Sequence, residues 1–115
     1  AYHMVFGPDA CLYVSGPTLS SQDVIYRIEP NGEIQIFFRG LGRPQGMVFD
    51  SQGRLYVGAS YEGWKGIHRL NGAGQIERFV AGPVMVGMVF DALGNLYMVD
   101  TQSLYYLMIG NNIPC

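Results

Sequence analysis

Gly46-Met47-Val48-Phe49-Asp50-Ser51-Gln52-Gly53-Arg54-Leu55-Tyr56-Val57 decides the fold, because the chain repeats it. A copy begins at Gly87-Met88-Val89-Phe90-Asp91 and continues as Ala92-Leu93-Gly94-Asn95-Leu96-Tyr97-Met98, 41 positions on (87 − 46 = 41). An earlier copy reads Met4-Val5-Phe6 and then Leu12-Tyr13-Val14, offset by 43 (47 − 4 = 43). A fixed period near 40 residues marks a chain built from stacked units.

The second half of each unit repeats as well. Ile25-Tyr26-Arg27-Ile28 precedes Asn31-Gly32 and then Ile34-Gln35-Ile36-Phe37-Phe38. Ile67-His68-Arg69-Leu70 precedes Ala73-Gly74 and then Ile76-Glu77-Arg78-Phe79-Val80. Leu104-Tyr105-Tyr106-Leu107 precedes Gly110-Asn111 and Ile113-Pro114-Cys115. The runs are short, rich in Val, Ile, Phe and Tyr, and separated by turn residues, which argues strands and against helix. Asn31-Gly32 predicts a type I′ turn, in which both central residues take φ > 0. Four strands per repeat predict an all-β fold of β-propeller blades, about 2.7 four-stranded antiparallel meanders. The units span 3–45, 46–86 and an incomplete 87–115. The first two strands of a unit are apolar on both faces, as expected of sheets with a neighbour on each side, and the outermost strands carry the charges.

These residues resemble the repeat of NHL proteins and of the SMP-30/gluconolactonase and strictosidine-synthase-like group. The quoted motif is Pro44-Gln45-Gly46-Met47-Val48-Phe49-Asp50, then Gly53 and Leu55-Tyr56-Val57. The resemblance covers essentially the whole chain. It implies roughly half of a six-bladed propeller, because six repeats of this period need roughly 240–250 residues and the chain has 115. Both end units then expose an apolar face, and the uncharged stretch from Ser103 onward would be an open edge. The expectation is self-association into a two-chain ring, a homodimer, or continuation as part of a longer chain.

Composition narrows the function. Charged residues make up 14% of the chain, against about 25% in a typical domain. With 7 Lys and Arg and a net charge of −2, no basic run exists to hold nucleic-acid phosphates. No apolar run reaches the roughly 18–20 residues of a membrane helix, and no signal-peptide pattern opens the sequence. Cys11 and Cys115 sit in no metal-ligand spacing and read as free thiols.

Ligands of such folds gather where strand ends meet the channel, before a unit's first strand and after its second. The candidates are Gln45, Ser60, Tyr61, Glu62, Asp100 and Thr101. Tyr61 and Trp64 flank Glu62-Gly63 in what reads as the longest loop of the second unit, suited to a sugar or other small molecule, or to packing its own aromatics. The lactonase resemblance implies a divalent cation such as Ca²⁺ held by carboxylate and amide oxygens at channel positions, with Asp100 the leading ligand. The preferred reading of Asp100 is a turn cap, a carboxylate accepting backbone N–H bonds in the following turn. Gln45 stands where that group often has Asn, and no Glu ligand stands out. His3 and His68 lack partners at metal-ligand spacing and read as structural. No Gly-x-Ser-x-Gly elbow occurs. Two functions remain: a non-catalytic binding and assembly module, or a metal-dependent lactonase or esterase.

Overall fold

The computed structural model describes residues 3–16 and 23–109. Among these the secondary structure is entirely β: eleven strands in three antiparallel sheets. The first sheet contains β1 (His3–Phe6), β2 (Leu12–Ser15), β3 (Asp23–Ile28) and β4 (Ile34–Leu41) in that order. The second contains β5 (Met47–Phe49), β6 (Leu55–Tyr61), β7 (Trp64–Leu70) and β8 (Ile76–Ala81). The third contains β9 (Gly87–Phe90), β10 (Leu96–Val99) and β11 (Leu104–Leu107). The strand expected from Ile113 lies outside the described residues. First strands are neighbours, β1 against β5 and β5 against β9, so the sheets stack sideways as blades around a shared inner edge.

One loop design recurs in five hairpins. The first loop residue donates its N–H to a carbonyl four positions on, and its own carbonyl accepts from the residue three positions on. Gly7, Asp50 and Asp91 begin it between first and second strands; Glu29 and Asn71 begin it between third and fourth. Its fourth residue needs the left-handed conformation, filled by Gly32, Gly53, Gly74, Gly94 and, without a glycine, by Ala10 at φ 66°. The turn at Asn31-Gly32 is therefore not type I′. Only Gly32 has positive φ there, since Pro30 fixes φ near −65° at the preceding turn position and builds a type I turn closed by a left-handed glycine.

The two-residue turn with both φ positive occurs at Glu62-Gly63, φ 50° and 79°. Tyr61 pairs directly with Trp64 across it. The long loop expected around Tyr61 and Trp64 is thus reduced to Glu62-Gly63: β6 and β7 run seven residues each to a minimal tip. Extra ladder bonds for Gly58, Ala59 and Ser60 replace the solvation an open loop would have.

Two cores lie between blades. Tyr13, Ile25 and Leu41 of the first blade meet Met47, Leu55, Val57, Ala59 and Leu70 of the second. Tyr56 and Ile67 of the second meet Leu96 and Met98 of the third, together with Met85 of the connection between them. Only the middle blade is buried on both faces. Leu55 to Ala59 are all buried, whereas β10 alternates buried and exposed and β1 alternates half-buried and exposed. Among the described residues blades one and three each pack against one neighbour, which is why their inner strands depart from the two-sided burial their composition predicts.

Candidate functional site

The channel-face candidates arise at the strand ends where one blade hands over to the next. Here the backbones nearly touch. Gly42 and Ser60 form an isolated antiparallel bridge, with Ser60 N–H donating to Gly42 O at 3.0 Å. Gln45 N–H donates to Gly58 O at 2.9 Å, Gly58 N–H to Gly46 O at 3.0 Å, and Gly46 N–H to Met85 O at 2.9 Å. A Cβ on Gly46 would lie 2.9 Å from Gly87 N. No Cβ fits at Gly46, so at this point a main-chain amide fastens the handover between blades two and three.

Gln45 projects its amide toward the first blade. Its Oε1 lies 3.1 Å from His3 Nε2, so the Nε2–H tautomer of His3 donates to it. Gln45 and Ser60 thus come together along one seam. Tyr61 and Glu62 follow at the hairpin tip, and Glu62 is exposed. Tyr61 packs edge-on against Phe38 (5.4 Å) and His68 (5.9 Å). Trp64 meets His68 at 5.1 Å and carries the Arg78 guanidinium over its ring at 5.3 Å. These aromatics pack on their own and the preceding blade and form no open stacking platform.

His68 is fully buried. Its Nε2–H donates to Trp64 O at 3.2 Å, which leaves Nδ1 without a hydrogen bond. Burial pushes its pKa below the ordinary value, outweighing the Trp64 and Ala59 carbonyls, which favour a protonated ring. The imidazole is a neutral packing residue beside an aromatic pair.

Asp100 and Thr101 lie in the β10–β11 connection, and Asp100 bonds within it. Asp100 Oδ1 accepts the N–H groups of Gln102 (2.8 Å) and Ser103 (2.7 Å), and Oδ2 accepts the Tyr105 hydroxyl (2.9 Å). The Gln102 and Ser103 amides, then Tyr105, hold the carboxyl below the usual carboxylate range. This is the geometry of a turn cap. Among the described residues no three His, Cys, Asp or Glu side chains gather. Asp100 is engaged by its turn and the Gln45 carbonyl by His3, so these residues do not fit a Ca²⁺ site, which takes about 6–8 oxygens.

Two features escaped the sequence reading. Asp23 is buried at the start of β3 and accepts the Arg43 N–H at 3.1 Å; nothing in Asp23-Val24-Ile25 marks it. The second lies at the opposite strand ends. Asp50 Oδ1 accepts the Gln52 and Arg54 N–H groups, and Oδ2 accepts the Tyr56 hydroxyl at 3.0 Å. Asp91 repeats this on Leu93, Asn95 and Tyr97. In blade one Gly7 holds the aligned place, yet Asp9, two residues on, reaches the Cys11 N–H and the Tyr13 hydroxyl. The Tyr of all three units and the Asp of the second and third are visible in the repeat; the bond joining them is not. Burial raises the Asp50 pKa, but the Arg54 amide and guanidinium and the Tyr56 hydroxyl outweigh it and lower the net value. Two clefts open beside these clamps, of about 550 and 670 Å³. Arg27–Asp9 and Arg54–Asp50 ion pairs occupy their walls, and neither cleft includes a channel-face candidate.

No family model and no curated protein matches the sequence. A solved crystal structure does: a protein provisionally described as a gluconolactonase, with TM-score 0.69 and 22% identity over 91% of this chain. The chain spans 43% of that protein's length. The likeness fixes the fold, a run of β-propeller blades similar to under half of a gluconolactonase-like propeller.

Proposed function

We propose that this chain is a non-catalytic assembly and binding segment: it contributes three blades to a propeller ring and presents the Gln45–Ser60 seam on the ring's channel face to a small polar molecule such as a sugar. One observation carries the reading. The outward faces of blades one and three are apolar, with Met4 65%, Phe6 69% and Leu104 70% exposed. Such faces favour contact with further blades over water. The channel-face polar groups supply hydrogen bonds, and among the described residues no Ser60, Tyr61 or Thr101 hydroxyl is bonded to a histidine or carboxylate in the manner of an activated nucleophile. An environment-sensitive hydrophobic dye tests this. Fluorescence per chain should be high in dilute solution and fall as concentration rises and faces cover one another. Silence from a chain that runs at its single mass would contradict it.

A metal-dependent lactonase is the second reading, favoured by the likeness to a protein described as a gluconolactonase. It requires oxygen ligands beyond those the described residues bring together. Hydrolysis of an aldonolactone above the uncatalysed rate, dependent on added Ca²⁺ or Zn²⁺, would establish it against the first.

A further inference from the structure

The aromatic contacts across the two internal seams are the same contact. Tyr13 of blade one meets Phe49 of blade two edge-on, centroids 4.8 Å apart. Tyr56 of blade two meets Phe90 of blade three edge-on at 5.1 Å. Tyr13, Tyr56 and Tyr97 are repeat equivalents, as are Phe6, Phe49 and Phe90. Two members of this series have no partner ring across a seam among the described residues: Tyr97, on the outward face of blade three, and Phe6, on the outward face of blade one.

Their surroundings follow the same rule. The face each blade turns to the preceding one carries Met47, Phe49, Leu55 and Val57 in blade two and Met88, Phe90, Leu96 and Met98 in blade three, all buried or half-buried. Its equivalent in blade one is Met4, Phe6, Leu12 and Val14, and nothing covers it among the described residues. The face turned to the following blade carries Val5 and Tyr13, then Val48 and Tyr56. In blade three these are Val89 and Tyr97, 57% and 36% exposed. The molecule's head therefore has the chemistry of the surface that its tail is built to cover.

We infer that a second copy of this chain covers both faces at once, head to tail, closing a six-bladed ring through two identical seams in which Tyr97 of each copy meets Phe6 of the other. This rests on the assembly reading above and names its partner. A face that contacts a different face gives a closed assembly only when the rotation closes; a half-turn does so for three blades of six.

The test uses Phe6→Glu and Tyr97→Lys, each confirmed as folded by its β-type circular dichroism, with mass read by light scattering. The unaltered chain should have about twice the single-chain mass of 12.7 kDa. Each variant alone carries a charged residue in both seams of its own ring and should run as a single chain. Mixed one to one, they should regain the double mass, because one seam then pairs Glu with Lys and the other is unaltered. A head-to-head pair would not be restored this way, so a mixture that stays at the single-chain mass overturns the inference. Should either charged variant fail to fold, Phe6→Leu and Tyr97→Leu each remove both ring pairs and should raise the dissociation constant about tenfold or more, taking about 0.5–1.5 kcal/mol per pair. An unchanged constant overturns it. An unaltered chain of single mass that binds dye strongly overturns the second copy and leaves the assembly reading standing; one that binds no dye overturns both.

Discussion

Gly58 backs onto Met85 so closely that a Cβ at Gly58 would stand 2.8 Å from both the nitrogen and the oxygen of Met85. That contact is backbone against backbone, so no side chain can turn aside. Gly58 lies in β6, and Met85 leads into the third blade. Their approach fixes how near the two blades come. Gly58→Ala should force the seam apart and cost about 1–3 kcal/mol, as overpacking does elsewhere. Chemical denaturation of both proteins at one concentration checks it, and a loss below about 0.5 kcal/mol would mean the blades separate freely.

The Asp–Tyr clamps differ in burial, which separates their effects. Tyr56 is buried and donates to Asp50, while Tyr97 is more exposed and reaches Asp91 at 3.3 Å. Tyr56→Phe should destabilise by about 1 kcal/mol, the usual worth of a protein hydrogen bond. At dilutions where the chains are single, Tyr97→Phe should lower stability less. Equal losses would show that burial does not set the strength of the clamp.

Ala10 occupies a left-handed turn position that Gly53 and Gly94 fill in the other blades. A non-glycine residue pays about 1–2 kcal/mol there, against the backbone entropy that glycine loses on folding. Ala10→Gly should therefore stabilise the chain, by about 0.5–1 kcal/mol, and Gly53→Ala should do the reverse. Thermal midpoints at matched concentration decide it.

Two pH windows follow from downward shifts in a base and in two acids. His68 is held neutral, its native pKa below the unfolded value of about 6.5. The unfolded chain then takes up a proton that the native one refuses, so stability falls as pH drops below about 6.5 toward the lowered native value. Asp9 and Asp50 have native pKa values below the ordinary 3.8. Their contribution is present above the unfolded value and is lost as pH falls through the native ones. A stability curve should show a decline below pH 6.5 that His68→Phe abolishes, and a second in strong acid that remains. A curve flat between pH 7 and 5 would contradict the burial of His68.

Asp100 as a turn cap makes a different forecast from Asp100 as a ligand. Asp100→Ala should lower the thermal midpoint, since two amides and a hydroxyl lose their acceptor. Millimolar Ca²⁺ should leave the midpoint unchanged in both proteins. A Ca²⁺-induced rise in the unaltered chain that Asp100→Ala removes would restore the metal site.

Much of the fold was legible because it is written in repetition. Met47-Val48-Phe49 and Leu55-Tyr56-Val57 recur at blade spacing, and radial packing needs just such strands. The turns were less legible. Asn31-Gly32 carries the stronger I′ signal, yet Pro30 vetoes it, while Glu62-Gly63 adopts the conformation because β6 and β7 pair to their last residues. The site was least legible. Asp100 looks like a ligand by position and is a cap by geometry, and the partnership of His3 with Gln45 spans 42 residues that no local pattern links.

Sedimentation equilibrium of the unaltered chain bears most directly on the claim that its apolar flanks must be covered by like blades. A species of about 25 kDa, twice the 12.7 kDa of one chain, should persist to micromolar dilution. A stable 12.7 kDa particle with Phe6 and Tyr97 open to solvent would contradict it.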